Sequence, residues 1–362
     1  MPTSATDVIT PAIEHAKQQL FQPFRLKQWS KLALVGLLAG ELSSGGCNFN
    51  IPTIPQHTDA SNHFAPAVFA SSPVNAGVMA VLITLLVAAV LVFIVVFMYL
   101  NSMMRFVLFD SVVTRECKIR ESWRRRTRPG FQYFLWQIGF GLVVWITAVV
   151  VFGGPVGLAF LLGWFKNTQE HMIGLILGGI GLFFIFCAFL ILVAITAVMT
   201  KHFIVPQMAL EGISAVEGWR RLLQMMKPEK WKYAGYIGMK IILAIAAGIL
   251  VTIASVIVIL VLAIPIGGLG VIAVLSGKAA GMQWGPATIA LAVVVGCIAF
   301  VVIMYLVCLI SVPTIIFFPA YALYFFADRY PLLRNVMYPL PVPPQELPGL
   351  PPPIPPAPEP IG

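Results

Sequence analysis

The feature that most constrains this chain is a tryptophan motif recurring at the head of paired apolar runs. Trp29-Ser-Lys31, Trp123-Arg-Arg125 and Trp219-Arg-Arg221 lie roughly a hundred residues apart. Each precedes two long apolar stretches, and the second stretch of each pair ends in a related motif. These motifs are Phe106-x-x-Phe109-x-x-Val112-Val113, Phe203-x-x-Pro206-x-x-Ala209-Leu210 and Ile316-x-x-Pro319-x-x-Ala322-Leu323. Apolar runs of this length suit a bilayer, where a helix satisfies every backbone N–H and C=O internally. The pattern predicts an all-α polytopic membrane protein with six transmembrane helices in three tandem two-helix modules. The modules cover about 10–113, 114–210 and 211–330, and a Pro-rich disordered tail follows over 331–362.

Composition agrees with a membrane location. Hydrophobic residues make up 59% of the chain and charged residues 10%, against about 25% charged in a soluble domain. A net charge of +9 would suggest nucleic acid in a soluble protein. Here the basic residues flank apolar runs, so orientation in the membrane and contact with anionic lipid account for them, and no nucleic-acid partner is expected. The five cysteines form no CxxC pair, so neither a zinc site nor a disulfide framework is indicated. Gly45-Gly-Cys47 faintly resembles a lipoprotein processing site, but Ser44 stands where such a site wants leucine.

Along the chain, residues 11–21 read as an amphipathic helix capped by Thr10. Ile9, Ile13, Ala16, Leu20 and Phe24 form its apolar stripe. Clear spans fall at 75–101, 131–152, 172–200, 234–264 and 287–326, with Pro265, Pro313 and Pro319 expected to kink the last two or carry them out of the lipid. The first segment, Trp29 to Ser44, is only 16 residues, or ~24 Å of helix against a ~30 Å bilayer core. Charge decides how it is read. Lys and Arg number 4 in residues 1–31, 8 in 102–130, 6 in 201–233 and 2 in 326–362, while the intervening connections hold almost none. With six spans and both termini cytoplasmic, nearly all basic residues lie inside a bacterial cytoplasmic membrane. The short segment therefore counts as a span, tilted or partly buried. The basic connections read as interfacial helices with tryptophans at headgroup depth. In the second, Ser214-x-x-Glu217 fits a capping box.

Few side chains suggest chemistry. Glu41 is the one acidic residue inside an apolar segment, a candidate intramembrane polar site; alternatively it reaches interfacial water from the end of a short helix. Lys240 and His202 read as interface residues, the lysine snorkelling on its long stem. Arg124, Arg125, Arg220 and Arg221 follow their tryptophans in matching places and are candidates for anionic-lipid contact. His57-x-Asp-x-x-x-His63 is a weak metal pattern. No nucleotide-binding, zincin or hydrolase signature is present, so no cofactor, metal or catalytic constellation is expected.

The run Met104–Asp110, followed by Ile119-Arg-Glu-Ser-Trp123, resembles a large group of bacterial six-span proteins of unknown function. His202-Phe-Ile-Val-Pro206, Glu211-Gly212 and Gly218-Trp219 share that resemblance. They are similar to the membrane domain sometimes fused to glycerophosphoryl diester phosphodiesterases. The resemblance implies a six-helix fold in the cytoplasmic membrane. It does not imply the phosphodiesterase reaction, which belongs to a separate soluble domain with acidic and histidine metal ligands. The expected function is a non-catalytic scaffold or lipid-interacting protein, with a transporter for a small or amphiphilic solute as the alternative. The Pro-rich tail is a candidate docking segment for a protein partner.

The charge distribution makes a topological prediction. Single cysteines introduced within 53–63 should react with an impermeant thiol reagent applied from the periplasm, and those within 114–128 should not. The opposite labelling pattern would exclude cytoplasmic termini.

Overall fold

The computed structural model describes residues 4–41, 76–165, 169, 171–279 and 285–338. The segment with Cys47, His57, Asp59 and His63, and the tail from Pro339, lie outside the described residues. The regular structure is helical: α1 Ile9–Phe21, α2 Leu26–Leu38, α3 Ala76–Thr114, α4 Ile119–Ala148, α5 Gly154–Leu161, α6 Met172–Met199, α7 Val205–Glu211, α8 Ala215–Met226, α9 Lys230–Ala279, α10 Pro286–Ile310, α11 Val312–Ala327 and α12 Pro331–Met337. π-helical turns at Val149–Gly153 and Thr200–Ile204 join α4 to α5 and α6 to α7. Each turn is followed by a proline at the start of the next helix, Pro155 or Pro206. A residue without an N–H cannot close the regular ladder, and the wider turn absorbs the mismatch.

Five helical segments among the described residues are long and apolar enough to cross a membrane: Gly77–Thr114, Ile119–Leu161, Met172–Glu211, Lys230–Leu262 and Thr288–Ala327. This corrects the expectation of six. The first expected span is α2, a helix of 13 residues, or ~20 Å, which is too short to cross. Its apolar character serves protein packing, since Leu32, Ala33, Val35 and Gly36 are buried. At Gly36 an added Cβ would fall 2.5 Å from the Ile315 side chain. Only glycine permits that approach of α2 to α11.

Other helix boundaries differ from expectation for local reasons. Pro265 does not end its helix; α9 continues through it to Ala279, consistent with apolar surroundings that favour keeping backbone bonds internal. The helix through 287–326 does break, at Ser311, and Pro313 sits in the first turn of α11, where its missing N–H costs nothing. The first basic connection is not a separate interfacial helix, because α4 runs unbroken from Ile119 into the membrane-crossing segment. The second is separate, as α8. Ser214 Oγ accepts from the Glu217 N–H at 3.3 Å, as the capping box requires. The tail is helical at its start, where α12 buries Leu333 and Met337.

The molecule divides into two zones. Over most of their length the long helices present exposed apolar side chains, such as Leu85, Phe93, Leu142, Phe184, Ile249 and Val301. At one end their termini join α1, α2, α7, α8, α11 and α12 in a dense base. Phe106, Phe203, Phe318, Phe325, Phe326 and Tyr321 are fully buried there. The three motif tryptophans are half-buried against this core. Trp29 donates its indole N–H to the Leu20 carbonyl at 3.0 Å.

The N-terminal helix packs against α11, by a face that includes Ile9, Ala16 and Leu20 of its apolar stripe but is turned away from Ile13 and Phe24. Ile13 and Phe24 are exposed, while Ala12, His15, Ala16, Gln19 and Leu20 are buried. Two polar residues turn inward because α3 and α11 offer them partners. His15 Nε2 lies 2.9 Å from the Val112 carbonyl and Nδ1 lies 3.2 Å from the Tyr324 hydroxyl. Gln19 donates to the Ser111 carbonyl at 2.7 Å. The carbonyl can only accept, so the neutral imidazole carries its proton on Nε2 and Nδ1 accepts from Tyr324.

This docking is pH-sensitive. Burial lowers the His15 pKa below its usual value, opposed by the Val112 carbonyl and reinforced by the nearby Arg115 charge. The unfolded chain then binds a proton that the folded base resists. The stability from α1 docking is fully present above pH ~6.5 and is lost as pH falls from there toward the depressed folded value. Thermal unfolding of the detergent-purified protein should show this loss between pH 7 and 5. His15→Gln keeps a donor to Val112 but cannot titrate, and should flatten that part of the profile.

Candidate functional site

Where the exposed apolar faces end and the base begins, four helical segments and the end of α2 enclose a polar cluster. Glu41 follows α2 and is 3% exposed. Its carboxylate meets the Lys201 ammonium at 2.5 Å. Lys201 and His202 occupy the π-helical turn at Thr200–Ile204. Lys240, on α9 and 8% exposed, places Nζ 2.7 Å from His202 Nε2, and the Tyr236 hydroxyl lies 2.8 Å from His202 Nδ1. An ammonium can only donate, so a charged Lys240 fixes the imidazole proton on Nδ1, facing Tyr236.

Arg105 of α3 completes the group. It donates to the Tyr133 hydroxyl at 2.5 Å, the Ala39 carbonyl at 3.2 Å and the Asn101 side-chain oxygen at 3.3 Å. None of these acceptors carries charge. Its buried Nε–H has no hydrogen-bond partner among the described residues. Three cationic side chains are thus gathered around one carboxylate. Charge taken out of water is costly unless matched, and here the matching is incomplete.

Glu41, Arg105, Lys201 and His202 open onto a cavity of about 30 Å³, room for roughly one water. Its remaining wall is apolar and includes Phe109, Pro206 and Pro319. Those residues hold the same position in the three sequence motifs. The residues preceding each motif also correspond: Arg105, His202 and Ile315. The first two supply polar groups to the cavity, and the third packs on Gly36 of α2.

The sequence candidates fare unequally. Glu41 does not reach solvent; it is buried on Lys201. Lys240 does not snorkel; it is buried on His202. The Trp-linked arginines are at the surface and largely matched by nearby acids. Arg125 pairs with Glu121 at 2.9 Å, Arg220 with Glu217 at 2.9 Å, and Arg221 with Glu211 at 2.5 Å and Glu217 at 3.1 Å. Arg124 is exposed beside Arg120, Glu121 and Arg125. Their neighbour Arg126 turns inward instead, pairing with buried Asp110 at 2.9 Å and donating to the Ala209 carbonyl. Sequence reasoning missed Arg105, Lys201 and Lys240 as site residues, since each reads as an ordinary cation at the end of its own span. The polar residue just before each of the first two motifs, Arg105 and His202, is a signal that could have found Arg105; no such signal marks Lys201 or Lys240. Among the described residues, no cluster of His, Cys, Asp and Glu is suited to a metal.

Breaking the buried pair has an asymmetric cost. Glu41→Ala leaves Lys201 uncompensated and should destabilise the base by about 3–5 kcal/mol, whereas Glu41→Leu combined with Lys201→Met should cost much less. Denaturation midpoints of the single and double variants check this; equal losses would mean that the pair is effectively solvated.

No curated protein and no solved structure matches the chain. A family model described as a family of unknown function, DUF7544, matches residues 3–336, and the chain belongs to that family.

Proposed function

We propose that this is a non-catalytic, lipid-interacting protein of the bacterial cytoplasmic membrane, holding an anionic headgroup in the cavity at the inner ends of its spans. The observation that carries the reading is the cation excess of the cluster, with Arg105, Lys201 and Lys240 set against Glu41 alone. A phosphate group there supplies the missing charge and an acceptor for the Arg105 Nε–H. Depth supports a lipid source. The cluster lies where the lipid-suited faces of the helices stop, which is headgroup level. The positive-inside distribution assigns that level to the cytoplasmic leaflet. α1, α12 and both basic connections pack together in one base.

This reading moves lipid contact from the surface arginines to the buried cluster. Arg125, Arg220 and Arg221 already have carboxylate partners, so a headgroup gains little by approaching them. The transporter alternative draws on the same polar cavity with Glu41 in its wall. It requires, beyond the widening that a headgroup also needs, that the cavity open to both membrane faces in turn.

Native mass spectrometry of protein extracted in mild detergent tests the proposal. Wild type should retain phosphatidylglycerol or cardiolipin. Arg105→Gln with Lys240→Gln should lose most of it, and the quadruple Gln variant of Arg124, Arg125, Arg220 and Arg221 should keep it. The reverse pattern would return the lipid contact to the surface arginines.

A further inference from the structure

We infer that the Glu41 carboxylate is an internal stand-in for the phosphate-bearing ligand, and that the ligand binds by displacing Glu41 from Lys201. The inference rests on the anion-binding reading of the cavity and adds how occupancy is controlled.

Three observations carry it. First, Glu41 is tethered differently from its partners. Lys201, His202, Arg105 and Lys240 project from the interiors of long helical segments locked into the base. Glu41 lies beyond the end of α2, after Gly40, whose φ of +70° terminates the helix. Its N–H is bonded to the Gly36 carbonyl at 2.9 Å. A side chain just past a helix terminus moves with a few residues of chain, whereas the cations can shift only with whole helices. Second, the cavity next to the ion pair is about one water in volume, too small for a phosphate group while Glu41 remains. Removing the carboxylate opens the space and frees the Lys201 ammonium in the same movement. Third, the exchange improves the supply of acceptors. A phosphodiester headgroup carries one negative charge, as Glu41 does, and free phosphate up to two; either offers acceptors to Arg105 Nε and Lys201 together.

A consequence follows for α2. Arg105 also grips the Ala39 carbonyl, and Asn101 donates to the Leu38 carbonyl at 2.9 Å. When Arg105 turns its guanidinium to a bound phosphate, the last turn of α2 loses the Ala39 contact and the Glu41–Lys201 pair together. Ligand occupancy is therefore coupled to release of the α2 terminus.

The test uses the full-length protein in phosphatidylcholine nanodiscs, titrated with inorganic phosphate, and compared with nanodiscs containing phosphatidylglycerol. Glu41→Gln keeps an acceptor for Lys201 but removes the competing charge, and should bind phosphate at least 10-fold more tightly than wild type. Lys201→Gln should bind at least 10-fold more weakly. Hydrogen exchange on wild type provides a readout independent of any substitution. Amides at 37–41 should exchange faster in saturating ligand, while those of the base at 103–112 slow. Effects seen with phosphatidylglycerol but not with free phosphate would assign the ligand to lipid; effects with both would assign the site to the phosphate group itself. If Lys201→Gln weakens binding while Glu41→Gln does not tighten it and the 37–41 amides stay protected, the site binds anions without displacement. If none of these variants alters binding of either probe, the anion-binding reading fails as well.

Discussion

The structure depends on the cost of holding three cations away from bulk water. Arg105, Lys201 and Lys240 arrive from three helices and Glu41 from a fourth segment, and they can be buried together only because each finds an acceptor there. That requirement explains the short helix. A 13-residue helix is useless as a bilayer span, but it is long enough to climb the base and deliver a carboxylate to the level of Lys201. Gly36 serves the same end by letting α2 lie against Ile315. The first apolar segment is thus better understood as the arm that carries Glu41 than as a failed transmembrane helix.

Around this cluster the base is organised by aromatic packing. Tyr236 stacks on Phe325 with centroids 4.6 Å apart and on Tyr321 at 5.3 Å, and Phe203 touches both Tyr236 and Phe326. The rings come from α9, α11 and the π-helical turn, so the group that positions the His202 partner also ties three spans together. Beyond the base, the exposed apolar faces have few protein neighbours, and acyl chains are their natural solvent. The molecule is densely packed at one end and presents exposed apolar side chains along the rest of its long helices.

Much of this was legible in the sequence. Hydropathy located the five long spans, the Ser214 cap located α8, and Pro313 located the break before α11, because each signal is local. Length and charge together misread α2. A largely apolar segment of sixteen residues with basic residues at one end looks alike whether it faces lipid or protein. The α1 stripe was right at Ile9, Ala16 and Leu20 but could not show that His15 and Gln19 turn inward, since they do so only where the Val112 and Ser111 carbonyls await them. The cluster itself was half visible. Glu41 stood out as an isolated carboxylate, but its partner lies 160 positions away in the π-helical turn after α6, and no spacing rule connects them.

The π-helical turn at Thr200–Ile204 sets the angular phase between two halves of one long segment. Each α-helical residue advances ~100°, so one additional residue in a turn rotates everything after it by about a quarter of a revolution. Through α6 the chain follows the needs of the lipid; through α7 it follows those of the base, where Pro206, Gln207 and Met208 are all buried. The turn is the gear between those two phases, and Lys201 and His202 are its teeth. A lineage that lost one residue there would keep its hydropathy profile intact while aiming both polar side chains away from Glu41 and Lys240. Conservation of segment length across the turn is therefore a more sensitive marker of this site among relatives than conservation of apolar character.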